Sequence, residues 1–271
     1  MKAGKWDARI RRASDLAARY PFAAEGLHFY GHIAQFQKSL YFHLQRQVGT
    51  AHVFRELGTL RQELDLFLLL GEFEPFLAVV EQRAPVPLAQ SARAFRAAGP
   101  PRWQDALASF WSADPAARAA LSSPDALLAW IFLQPYAEYL ADHAHHPPVV
   151  GTPPICPLCL SLPQAGVLRP EGDGAKRMLL CSLCATEWEF RRIVCASCGQ
   201  EDVHKLAVFT TDKFPCVRVE ACDLCRHYLK TVDLTRDGHA VPVVDELATI
   251  PLTLWAAEHG YEKLSNNILG L

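Results

Sequence analysis

Apolar side chains recur at helical spacing through the first 140 residues and at strand spacing after about residue 160. Within residues 25–48 they fall at Leu27, Tyr30, Ile33/Ala34, Leu40/Tyr41, Leu44 and Val48, three or four positions apart, which places them on one helical face. Residues 54–70 continue the rhythm with Leu57, Leu60, Leu64 and Phe67/Leu68 and predict a second helix. Shorter helices are expected over 73–82, 86–98 and 103–112. Ser123-Pro124-Asp125 opens another: a capping hydroxyl, a proline whose missing N–H costs nothing in the first turn, and an acid facing the helix dipole. That helix runs to about Ala141 and should kink at Pro135. No short repeat is visible in this half.

The pattern changes near residue 147. His145-His-Pro-Pro-Val-Val-Gly-Thr-Pro-Pro154 excludes helix, because prolines and the residues before them avoid helical backbone. It reads as a linker between a helical domain, 1–146, and a small β-rich domain, 147–271. Gly172-Asp-Gly174 predicts a hairpin turn between 166–168 and 176–180. A second hairpin pairs 205–209 with 217–220, through 210–214. The alternating stretch 185–194 reads as a strand. Asp245 to His259 predicts a closing helix with Pro251 inside it and Gly260 as its stop. The expected class is α+β.

All nine cysteines lie in the second half. Eight form Cys-x-x-Cys couples: Cys156/Cys159, Cys181/Cys184, Cys195/Cys198 and Cys222/Cys225. Each couple can grip one ion from a tight turn, and two couples complete a tetrahedral shell. Residues 160–180 separate the first two couples and 199–221 the last two, slightly longer than a usual zinc-ribbon gap and suited to knuckles on a three-stranded sheet. Sequential pairing is the economical arrangement; a crossed pairing stays open. A disulfide framework is disfavoured, since Met1 to Arg19 is charged throughout and lacks the apolar core of an export signal. No stretch approaches the roughly 20 apolar residues of a membrane span. Cys216 is left outside every couple and reads as a strand or loop residue.

Four thiolates suit zinc and iron alike. They leave no open position for water, which argues against hydrolysis at the ion and against an enzyme. The formal charge of −2 suggests no polyanion partner, and the residues after 150 carry a net −3. A nucleic-acid-binding zinc ribbon and a rubredoxin-type electron carrier are the competing readings. His28 and His32, with Glu25 nearby, lack the His-Glu-x-x-His form and read as structural or interface residues. His143, His145 and His146 read as solvated. Arg191 and Arg192 beside Glu187 and Glu189 suggest a cross-strand ion ladder, or an arginine facing a partner protein. Trp188 is expected to be buried between sheet and closing helix, and Phe29, Tyr30 and Phe36 to be mostly core.

The stretch Leu180-Cys-Ser-Leu-Cys-Ala-Thr-Glu-Trp-Glu-Phe-Arg-Arg-Ile-Val-Cys-Ala-Ser-Cys-Gly199 resembles the formate dehydrogenase accessory protein family, FdhE. Arg218 to Lys230, Val244 to Ala248, Gly260 to Glu262, Phe22 to Gln37 and Leu133 to Glu138 are similar to it as well. The resemblance implies a cytoplasmic maturation factor that binds the catalytic subunit of a molybdenum-containing formate dehydrogenase; a homodimer stays open. It implies two iron ions in rubredoxin-like sites, carried onto Cys156, Cys159, Cys181, Cys184, Cys195, Cys198, Cys222 and Cys225. This chain departs from the family after the first couple: Leu160 stands where the family usually has glycine.

Overall fold

A computed structural model describes residues 3–48, 58–112, 114, 116–117, 121, 123–144 and 151–270. The chain forms two compact units. One comprises chiefly residues 1–28 and 148–271, the other chiefly 29–147. Two segments fall across a cut at 146/147: the first helix, α1 (Ala3–Arg19), is grouped with the sheet, and Leu158–Leu160 with the helices. The Arg12 guanidinium explains the placement of α1. It donates to Asp245 Oδ2 at 3.0 Å and to Asp237 Oδ2 at 2.7 Å, tying α1 to the closing segment of the sheet unit through charge-assisted hydrogen bonds.

The helical unit contains most of α2 (Ala24–Val48), then α3 (Leu66–Arg83), α4 (Val86–Ala98), α5 (Pro100–Trp111) and α6 (Ser123–His143). The helix expected over 54–70 does not form as a unit. Its start, with Leu57, lies outside the described residues; Leu60–Gln62 is a 3-10 turn. Asp65 then caps α3, its carboxylate accepting from Phe67 N at 3.0 Å and Leu68 N at 3.2 Å. A capping side chain thus overrides a continuous apolar rhythm.

α6 lies at the centre: every residue from Leu128 to Ala141 except Gln134 is buried. Pro135 cannot donate to the Ile131 carbonyl one turn back. Gln37 does so instead, from Nε2 at 2.8 Å, and also reaches Gln134 Oε1 at 2.9 Å. Around this helix Phe73 packs edge-on against Phe132, with centroids 4.7 Å apart. Phe29 and Tyr30 are buried, and Phe36 packs on Phe76 and Phe132.

The sheet unit is one seven-stranded sheet rather than a three-stranded platform. Its strands are β1 (Pro163–Glu171), β2 (Gly174–Cys181), β3 (Glu187–Glu189), β4 (Leu206–Phe209), β5 (Val217–Cys222), β6 (His227–Asp233) and β7 (Glu262–Lys263). They lie in the order β3-β2-β1-β6-β5-β4, with β7 beside β6. Both predicted hairpins form. Glu171 faces Gly174 across a two-residue turn in which Gly172 adopts φ +54°, a conformation glycine takes without strain. The strand expected over 185–194 shrinks to β3, because after Phe190 the chain turns into the third cysteine couple.

The closing helix is two helices, α7 (Pro242–Ala248) and α8 (Ile250–Glu258). Pro251 cannot donate to Leu247, so the helix breaks at Thr249. The Thr249 hydroxyl donates to the Asp245 and Glu246 carbonyls freed there, at 3.1 and 3.0 Å. Gly260 takes φ +74° and ends α8 as expected. Among the described residues, no helix is long and apolar enough to cross a membrane.

Candidate metal centres

The sheet is two copies of one unit laid head to tail. Each copy runs couple, strand, strand, couple, strand. The first is Cys156/Cys159, β1, β2, Cys181/Cys184, β3; the second is Cys195/Cys198, β4, β5, Cys222/Cys225, β6. Across the sheet each copy appears as third, second, first strand, and the copies meet where β1 pairs with β6 in parallel.

Each hairpin returns the chain to its own starting couple, and this decides the pairing. The thiols of Cys156, Cys159, Cys181 and Cys184 lie within 4.8 Å of one another, and so do those of Cys195, Cys198, Cys222 and Cys225. The grouping is sequential, and the crossed alternative is excluded. Sγ–Sγ separations are 3.5 Å for Cys156–Cys184, 3.7 Å for Cys195–Cys225 and 3.8 Å for Cys198–Cys222. A tetrahedron with metal–sulfur bonds of about 2.3 Å has edges of about 3.8 Å, whereas a disulfide is about 2.05 Å. Both donor sets therefore fit one tetrahedral ion each.

The turns aim backbone dipoles at sulfur. The first cysteine's N–H donates five residues ahead in three couples: Cys156 to Ser161 O, Cys181 to Thr186 O and Cys195 to Gln200 O, each at 2.9 Å. Leu183 N and Cys184 N approach Cys181 Sγ at 3.3 and 3.4 Å, and Ser197 N approaches Cys195 Sγ at 3.3 Å. Such donors stabilise a thiolate. The turn requires a left-handed residue directly after each couple: Leu160 (φ 59°), Ala185 (φ 53°), Gly199 (φ 74°) and Arg226 (φ 62°). Only one of the four is glycine. A non-glycine residue in this region costs about 1–2 kcal/mol. Leu160 is thus one of three non-glycine residues in this conformation, and the position after each second cysteine is the signal that would have found Ala185 and Arg226.

The two centres differ in access. All four thiols of the first are buried; in the second Cys198 is exposed and Cys225 half-buried. Burial pushes the Cys195 thiol up to about 12. Burial also opposes ionisation of Cys225, but hydrogen bonds from His227, Cys198 and Cys195 outweigh it and hold that thiol at about 6. When bound, a four-thiolate ion supplies cross-linking of the fold and, if iron, one-electron redox; it offers no open ligand position.

The remaining candidates fall elsewhere. Cys216, in the loop before β5, is half-buried with Asp237 and Asp245 close by, but Arg12 already holds both carboxylates. His28 and His32 are exposed on α2 and belong to no metal-sized group among the described residues. His143 Nδ1 lies 2.7 Å from Tyr139 O, and His145 and His146 lie outside the described residues. The expected ion ladder is differently wired: Glu187 pairs with Arg169, Glu189 with Lys176, and Arg191 with Glu201. Trp188 is buried, its Nε1 donating to Pro153 O at 2.8 Å.

A helical unit joined to a tandem four-cysteine sheet defines a class of paired-knuckle proteins. Residues 155–192 match the family model described as FdhE, central domain, and residues 193–269 match FdhE, C-terminal domain. Over residues 155–269, less than half of its length, the chain is thus similar to the FdhE family. It is 33% identical over 141 residues to the "Protein FdhE homolog" of Aquifex aeolicus, covering 51% of this chain and 50% of that protein. It is 38% identical over 120 residues to the homolog of Pseudomonas aeruginosa, covering 42% and 39%. The matched stretch thus spans half or less of these relatives. The crystal structure of the FdhE protein from Pseudomonas aeruginosa superposes with a TM-score of 0.73 at 24% identity, covering 98% of this chain and 96% of that one, which shows a shared fold.

Proposed function

We propose that this chain is an accessory protein for formate dehydrogenase maturation that binds the immature, molybdenum-containing catalytic subunit in the cytoplasm and holds one iron ion in each four-cysteine centre. The similarity of residues 155–269 to the FdhE family supports the accessory role. The observation that carries the rest is the pair of closed thiol shells, with Sγ spacings of 3.5 to 3.8 Å and no place for a substrate at the ion. Such centres suit binding and assembly rather than turnover. Eight unbridged thiols need reducing surroundings, which supports the cytoplasm.

The test is purification without air from cells that also express a tagged formate dehydrogenase catalytic subunit. The expected result is co-purification, about two irons per chain and a thiolate-to-iron charge-transfer band. About two zinc ions and no colour would make the centres structural. Failure of the subunit to co-purify would overturn the binding role.

A further inference from the structure

One face of the second repeat is uncovered. Val219 and Ala221 of β5 pack against Ala256 of α8. The alternate residues Arg218, Glu220 and Cys222 line a cleft of about 160 Å³ on β4, β5 and β6, walled by residues 192–197. Three large apolar side chains at this cleft are more than half exposed: Ile193 at 52%, Val203 at 57% and Val208 at 54%. An apolar patch left open in this way marks a contact surface. The cleft reaches β4, the last strand of the sheet, whose outer edge has no ladder partner among the described residues. Such an edge accepts an added strand.

The charges select what fits. Glu220 is shared by two guanidiniums, Arg177 Nη2 at 2.7 Å and Arg218 Nη2 at 2.5 Å. Arg192, exposed at the cleft wall, makes no ion pair or hydrogen bond among the described residues. Three arginines therefore face one carboxylate in a mostly apolar cleft that also holds Ser197 and His227, on a chain of net charge −2. The excess is complementary to an anionic group and repels a basic segment.

We propose that this cleft docks an extended segment of the immature catalytic subunit that carries apolar side chains and a carboxylate. The apolar side chains cover Val203 and Val208, and the carboxylate meets Arg192 and Arg218. The proposal rests on the partner named above.

The test uses the full, metal-loaded chain and the tagged catalytic subunit. Val208→Asp and Arg192→Glu alter exposed side chains in the cleft; Arg191→Glu makes the same charge change one residue away, outside it. The expected result is that wild type and Arg191→Glu capture the subunit, while each cleft variant captures at least fivefold less with unchanged metal content. An array of 12-residue peptides spanning the subunit, probed with wild type, should light up at acidic-apolar segments and lose them with Arg192→Glu. Equal capture by all variants would overturn the docking site while leaving the accessory role standing. Wild type that captures nothing would overturn the binding role proposed above, and the docking site with it. A dimer that Val208→Asp splits into monomers, with capture unchanged, would assign the face to a second copy and overturn the proposal.

Discussion

Gly166 of β1 stands directly opposite Thr231 of β6 in the parallel pair that joins the two repeats. A Cβ on Gly166 would overlap the Thr231 hydroxyl and lie 3.1 Å from its Cβ. The seam between the two centres therefore closes only because one side has no side chain. Gly166→Ala should destabilise the metal-loaded protein by about 1–3 kcal/mol through overpacking. Thr231→Gly should relieve most of that cost, giving a coupling of about 1 kcal/mol or more in a double-mutant cycle. Urea denaturation of the four variants measures it; additive effects would show that the seam does not constrain packing.

Backbone strain at the knuckles gives a prediction of opposite sign. Leu160 is held at φ 59° with its side chain 41% exposed, so it loses little on truncation. Leu160→Gly should stabilise the chain by about 1 kcal/mol. Arg226→Gly should not, because that side chain donates to Gly260 O and Asp223 and lies over the Tyr261 ring. Melting midpoints of the two variants at equal metal content separate the cases.

Metal removal should proceed in order. The first centre is sealed, whereas Cys198 of the second is exposed. A chelator in excess should therefore release metal in two phases, the faster from the second centre. Cys198→Ala should abolish the fast phase and leave the slow one. Release in a single phase, or loss of the slow phase in this variant, would contradict the assignment.

Acid should act on a buried ion cluster. Lys230 Nζ lies 2.8 Å and Lys263 Nζ 2.5 Å from Glu246 Oε1, and Asn267 Nδ2 donates to Oε2 at 3.0 Å. Burial raises the Glu246 carboxyl, but the two ammonium groups outweigh it and hold it at about 2, below its ordinary 4.5. The lowered folded-state value means its stabilisation is full above pH 4.5 and is lost as pH falls toward about 2. Glu246→Gln should cost about 3–5 kcal/mol at pH 7, because two buried ammonium groups lose their counter-charge. The gap from wild type should narrow below pH 4.5. A constant gap from pH 7 to pH 3 would show that Glu246 does not titrate in this range.

Much of the organisation was legible because it rests on local signals. Couple spacing and the Gly172 turn both announced their geometry, and Ser123-Pro124-Asp125 marked the start of α6. What stayed hidden depended on distant partners. β6 was not among the expected strands; Lys230 and Thr231 interrupt its apolar residues, yet both are wholly buried, the lysine against Glu246 sixteen residues later. The placement of α1 required Arg12 to find Asp245 across more than two hundred residues. The break at Thr249 required weighing Pro251 against the apolar residues on either side of it, and the proline's steric veto prevailed.

The head-to-tail seam has a geometric corollary. Two copies related by translation, unlike two related by a twofold axis, do not use up each other's binding edges: the same junction could in principle recruit a third copy, and a fourth. Growth is limited instead by the ends. β3 offers only Glu187–Glu189 and β4 only Leu206–Phe209, a three-residue and a four-residue terminus on the array. Margins this short discourage pairing with another full repeat, while β4 keeps room for a short docked segment. The brevity of these two strands thus disfavours extension of the paired knuckles into an open array of copies.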